Sequence, residues 1–100
     1  MTSAAWRHLA VAVLLAVALP ASASAELRGL WVVRTALVSP EAVDQVVDDA
    51  AAAGLNALFV QVRGRGDAFY ASRLVPRSVL LERQPRGFDP LARLMARARA

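Results

Sequence analysis

Asn56-Ala57-Leu58-Phe59-Val60-Gln61-Val62-Arg63-Gly64-Arg65-Gly66-Asp67-Ala68-Phe69-Tyr70-Ala71-Ser72 is the stretch on which the fold reading turns. Ala57 to Val60 predicts a short strand, apolar on both alternating faces, as in a parallel sheet covered on each side. The strand then turns polar. Gln61 and Arg63 fall on one face at its C-terminal end, where an amide and a guanidinium are costly unless hydrogen-bonded or open to a wet cleft. In parallel α/β sheets that end is where binding and chemistry are placed. The pattern therefore predicts a site where this strand stops.

Working back from it, Leu30 to Val33, with Trp31 among them, has the branched and aromatic composition of a strand closed by the polar Arg34 and Thr35. Ser39 is an N-cap candidate, Pro40 suits the first helical position and Glu41 suits the positive end of the helix dipole. The helix runs to about Ala53, with Val43, Val46, Val47 and Ala50 as its buried stripe and Asp44, Asp48 and Asp49 on or beside its wet face. Gly54 followed by apolar Leu55 is a helix stop. Strand, helix and strand of this length predict one right-handed βαβ unit with parallel strands, so both polar strand ends emerge on the same side. The connection from Gly64 to Gly87 is long enough to predict a structured active-site lid. Asp89 and Pro90 then open a second helix, with Leu91, Leu94, Met95 and Ala98 at helical spacing.

Ahead of the first strand, Arg7 and His8 precede an apolar run from Leu9 to Leu19, followed by Pro20 and the small residues Ala21 to Ala25. This is the layout of a secretory signal peptide cleaved after Ala25. The run stops short of the roughly 20 apolar residues of a spanning helix, so no stable membrane span is expected after cleavage. The expected organisation is a signal peptide over residues 1–25 and an exported domain over 26–100, placed outside the cell, in the periplasm or at the cell envelope. The chain has no cysteine, so that domain rests on its core alone. The apolar pattern of the last helix reaches Ala100 with no stop signal, which leads to the expectation of the N-terminal part of a longer domain.

The formal net charge is +4, carried by arginine without any lysine. These arginines are scattered among Asp44, Asp48, Asp49, Asp67 and Asp89 and form neither a basic stripe nor an aromatic platform, which argues against nucleic acid. The single histidine, His8, belongs to the signal segment, so no histidine triad, zinc site or other cofactor is expected in the domain. Arg65-Gly66-Asp67 spells an adhesion tripeptide, but Gly64 and Gly66 account for it as a sharp turn, with Asp67 paired to Arg63 or Arg65. Glycoside hydrolysis needs two carboxyl groups. Asp67 lies on the correct side of the sheet, Asp89 reads as a helix cap, and Glu82 sits in the loop. Tyr70 fits either a sugar-stacking ring or a residue that packs the lid.

Taken in order, Glu26-Leu27-Arg28-Gly29-Leu30-Trp31-Val32, Gly54-Leu55-Asn56-Ala57-Leu58-Phe59-Val60-Gln61-Val62-Arg63, Gly66-Asp67-Ala68-Phe69-Tyr70-Ala71-Ser72, Pro76-Arg77-Ser78 and Gly87-Phe88-Asp89-Pro90-Leu91 resemble the N-terminal part of the glycosyl-hydrolase-like 10 family. The resemblance implies an α/β fold, the N-terminal βαβα portion of a (β/α)8 TIM-type barrel, exported by bacteria and acting on cell-wall or other polysaccharide glycans. It places Gln61, Arg63, Asp67 and Tyr70 at the barrel mouth as glycan-binding residues and leaves the catalytic acid and nucleophile unassigned. Many members carry tryptophan where this chain has Arg77. Without the later strands, residues 26–100 are expected to be inactive alone. The alternative is a small secreted carbohydrate-binding or cell-envelope interaction module without catalysis.

Overall fold

The computed structural model describes residues 26–100; the signal segment expected over residues 1–25 lies outside the described residues. The fold is α/β. β1 (Gly29–Val32) leads through a 3-10 turn (Arg34–Leu37) into α1 (Pro40–Ala52), which returns to β2 (Ala57–Val60). A hairpin of β3 (Arg63–Gly64) and β4 (Asp67–Ala68) follows, then a second 3-10 turn (Val79–Leu81) and α2 (Pro90–Arg99). β1 and β2 are parallel, with Gly29 beside Ala57, Leu30 beside Leu58, Trp31 beside Phe59 and Val32 beside Val60.

Local chemistry sets the element ends. The Ser39 hydroxyl accepts from the Ala42 N–H at 3.1 Å, and Pro40 occupies a position whose missing N–H would have had no helical partner. At the other end Gly54 takes φ 72°; its N–H donates to the Ala51 carbonyl and that of Leu55 to the Ala50 carbonyl, both at 3.0 Å. This pair of bonds is the Schellman stop expected of a Gly-Leu terminus. Asn56 then fixes the entry to β2. Its Oδ1 accepts from the Arg28 N–H at 2.7 Å, and its Nδ2 donates to the Glu26 carbonyl at 2.7 Å. Arg28 Nε reaches the Gly54 carbonyl at 2.7 Å, tying the helix stop to the start of β1.

Because paired residues of a parallel ladder share a face, the sheet has two unlike sides. Val32, Leu58 and Val60 face the core, where they meet Leu37, Val43, Phe69, Leu81, Phe88 and Leu94. The other side carries Trp31 and Phe59, which are 66% and 48% exposed. The expectation of a strand covered on both faces is thus corrected: an alternation of apolar residues shows that both faces are greasy but not that something lies on each. Phe59 covers part of its own side by lying across Gly29, where an added Cβ would come 2.5 Å from Cε2 of the ring.

α2 lies parallel to α1. Arg93 donates to Asp44 at 2.8 and 2.7 Å, and Arg97 donates to Asp48 at 3.0 Å. One turn along each helix reproduces the same pairing, which an antiparallel arrangement could not do. Leu94 is buried and, with Met95 and Ala98, lines an open groove beside Ala50, Ala51 and Leu58.

The long connection is ordered, by backbone pairing more than by side chains. Ala68 donates to the Pro76 carbonyl at 2.9 Å and accepts from the Ser78 N–H at 3.0 Å. Phe69, fully buried, donates to the Val62 carbonyl at 2.9 Å and accepts from the Leu91 N–H at 3.2 Å. Its ring and its backbone therefore join the hairpin, β2 and α2. Phe69→Ala is expected to cost about 3–5 kcal/mol in chemical denaturation, the usual range for a buried Phe truncated to Ala. Gly54→Ala meets open space, so its cost of about 1–2 kcal/mol comes from the left-handed backbone alone.

The Arg93 hydrogen bond holds the Asp44 carboxyl below its ordinary value against some desolvation, with the charges of Arg93 and Arg97 acting in the same direction as the bond. A depressed carboxylate pKa means that this stabilisation is complete above the ordinary carboxylate range and is lost as the pH falls through the folded-state value. Melting followed by circular dichroism is expected to show a weaker acid dependence in Asp44→Asn than in the parent, with a small loss of melting temperature at neutral pH, as for an exposed pair.

Candidate functional site

Parallel pairing brings the C-terminal ends of β1 and β2 side by side. The Gln61 N–H donates to the Val32 carbonyl at 2.9 Å, and the Gln61 Oε1 accepts from the Arg34 N–H at 3.3 Å. The amide expected to need a partner or a wet cleft thus spends its oxygen on the neighbouring strand end. The Arg34 side chain continues over the hairpin: a Cβ on Gly64 would stand 2.5 Å from Arg34 Nε and 2.7 Å from its Cζ. Gly64 serves here as the floor on which a guanidinium lies. Arg34 is the residue that sequence reasoning left out of the site, and its signal was a polar end on β1 matched by a glycine soon after β2.

Arg63 is not where the sequence suggested. β2 ends at Val60, and Arg63 opens an antiparallel hairpin in which it pairs with Ala68 while Gly64 pairs with Asp67. Neighbouring residues in a strand point to opposite faces, so Asp67 shares the face of Gly64 and Arg63 projects from the other. That geometry explains why the expected pair between Asp67 and Arg63 is missing. Arg65 cannot replace it. Arg65 and Gly66 form the two-residue turn with φ of 46° and 75°, the combination of a type I′ hairpin, and both are exposed. The tripeptide beginning at Arg65 is accordingly a tight hairpin turn. Among the described residues the ion pairs join Arg93 and Arg97 to Asp44 and Asp48, and Asp67 Oδ1 is buried with no hydrogen-bond partner.

Tyr70 is half-buried and lies on the wall of a separate cleft of about 410 Å³ together with Ser72, Val75, Arg77, Arg86 and Phe88. Asp89 lies on the same wall with both oxygens engaged: Oδ1 accepts from the Ala92 N–H at 2.9 Å and Oδ2 from the Ala71 N–H at 2.9 Å. It is a helix cap, as expected, and it also pins the chain after Tyr70. Arg77, at the position where a tryptophan was noted in the resembling family, donates to the Phe88 carbonyl at 2.7 Å and the Pro85 carbonyl at 3.1 Å. Its head closes the loop.

The four expected site residues are therefore distributed. Gln61 belongs to the joined strand ends with Arg34, Asp67 lies on the hairpin face of Gly64, Tyr70 lines the cleft, and Arg63 is exposed on the opposite hairpin face. Glu82 is exposed after the second 3-10 turn. Among the described residues no cluster of His, Cys, Asp and Glu could hold a metal ion, and no helix is long and apolar enough to cross a membrane. Compared with known proteins, the chain matches no family model and no curated relative.

Gly64→Ala is expected to expel the Arg34 side chain from its place on the hairpin. In a double-mutant cycle its cost should shrink in the Arg34→Ala background, with a coupling of about 0.5–3 kcal/mol. Equal costs in both backgrounds would show that Gly64 has no part in holding Arg34.

Proposed function

We propose that residues 26–100 form the opening βα units of a (β/α)8-type barrel in an exported bacterial hydrolase that acts on cell-wall or other polysaccharide glycans. The observation that carries this reading is the asymmetry of the β1/β2 sheet. Parallel helices cover one side, while Trp31 and Phe59 stand uncovered on the other, as on the inner wall of a barrel that further strands would close. The polar groups collect at the C-terminal ends of the strands, the side on which barrel enzymes bind substrate. The resemblance to the glycosyl-hydrolase-like 10 family supplies the substrate class, and the layout of residues 1–25 supplies the export.

In this reading Gln61 and Arg34 form a rim joined by their hydrogen bond, Tyr70 offers a ring to a sugar face, and Asp67 stands on the hairpin with its Oδ1 buried and unpartnered. Arg63 contributes an exposed guanidinium for a sugar hydroxyl or carboxylate. Cleavage needs two carboxyl groups facing the bond. Asp89 is consumed by capping and Glu82 is turned to solvent, so residues 26–100 bind glycan without cleaving it.

A secreted carbohydrate-binding module is the second reading, and the adjacent exposed rings of Trp31 and Phe59 favour it, since a pair of rings is a sugar platform in its own right. Calorimetric titration with a cell-wall glycan oligomer separates the two. The hydrolase reading predicts that Tyr70→Ala weakens binding about tenfold, the effect of about 1.4 kcal/mol, while Trp31→Ala leaves it unchanged and no reducing ends are released. The opposite ranking of Tyr70 and Trp31 would favour the module.

A further inference from the structure

The wall of the cleft beside Tyr70 carries more positive than negative charge. Two arginines, Arg77 and Arg86, stand on its wall with a single acid, Asp89. Both Asp89 oxygens are already turned to the backbone N–H groups of Ala92 and Ala71, so that carboxylate faces the chain and not the opening. Arg77 spends two guanidinium nitrogens on carbonyl oxygens, which fixes its head, uses two of its five N–H donors and leaves its charge without a carboxylate. Arg86 is exposed and makes no hydrogen bond or ion pair among the described residues. Val75 and Phe88 add an apolar wall, and Tyr70 adds a ring. The volume of about 410 Å³ is within the range of small-ligand sites.

The position of the cleft is functional as well. α2 runs parallel to α1, so its first turn, which Asp89 caps, lies on the same side of the sheet as the C-terminal ends of β1 and β2. An unpaired guanidinium is best matched by a carboxylate, which accepts two parallel N–H bonds from it. Tyr70 and the apolar wall match the flat, weakly polar face of a sugar ring.

We propose that this cleft is an acidic-sugar subsite: it takes a carboxylate-bearing unit of the glycan, with Arg86 forked onto the carboxylate, Tyr70 against the ring, and Arg77 supplying a fixed second positive charge. The inference rests on the glycan reading above and narrows its substrate to anionic polysaccharide. A free small carboxylate shares half of this chemistry, and only the sugar uses Tyr70.

Titration of the full chain with trigalacturonate, with its methyl ester and with acetate tests the proposal. The acid should bind about tenfold more tightly than the ester, the effect of one charge-assisted bidentate contact. Arg86→Gln should remove that difference and Arg86→Lys should restore part of it, all with unchanged far-ultraviolet circular dichroism, since Arg86 holds nothing in place. Acetate should fail to displace the bound trimer. If ester and acid bind equally, the acidic subsite is wrong while the glycan reading stands. Should neither trimer bind, both readings fall. Displacement of the acid by equimolar acetate, with no weakening in Tyr70→Phe or Tyr70→Ala, would reduce the cleft to a simple anion site and overturn the sugar assignment.

Discussion

Parallel pairing of β1 with β2 is the constraint from which the other features of residues 26–100 follow. Two parallel strands cannot be joined by a tight turn; the chain must travel back along the sheet, and α1 makes that journey. The crossover buries one sheet face and brings both polar strand ends to the same side. The Gly54 stop and the Asn56 clamp to Glu26 and Arg28 then set where β2 begins against β1, and with it which residues lie side by side. A slip of one residue in β2 would exchange Leu58 and Val60 for Phe59 beneath the helices.

The helices were legible because their signals are local. Ser39 with Pro40, Gly54 with Leu55, and Asp89 with Pro90 each act within a few residues of themselves, and each is found performing the expected cap or stop. What could not be read are the arrangements created by distant residues. The alternation of Ala57 to Val60 was correctly seen as a strand, yet nothing local distinguishes a covered face from an open one. Arg63 was placed on that strand because its spacing from Gln61 allowed it, but the two-residue turn at Arg65 and Gly66 draws Arg63 into a hairpin instead. With Arg65-Gly66 as a two-residue hairpin turn flanked by Gly64 and Asp67, the separation of Arg63 from Asp67 follows from strand alternation alone. Arg34 and Arg77 take their roles from partners distant in sequence: Arg34 is signalled only by its polarity at the end of β1 and the glycine after β2, and Arg77 by its polarity alone.

The arginines that give the chain its basic balance divide by what they touch. Arg93 and Arg97 join the two helices through Asp44 and Asp48. Arg28 and Arg77 end on backbone carbonyls and hold loops. These are structural uses of the guanidinium's several donors. Arg63, Arg65, Arg73, Arg83, Arg86 and Arg99 are exposed without such partners among the described residues, and Arg86 is set apart from the others by its place at an opening with aromatic and apolar walls, on the side of the sheet where the strand ends emerge. Charge at that position contributes nothing evident to holding the chain together, and this is the physical reason for placing ligand recognition there.

The central claim is that glycan is met at the C-terminal side of the sheet and not on its open aromatic face. Backbone amide chemical-shift mapping of the isotope-labelled chain during titration with trigalacturonate addresses it directly, because every element reports at once. The account predicts shifts concentrated at Gln61, Tyr70, Ser72, Arg77, Arg86 and Phe88, with Trp31 and Phe59 unmoved. Shifts centred on Trp31 and Phe59, with the Tyr70 cleft silent, would contradict it.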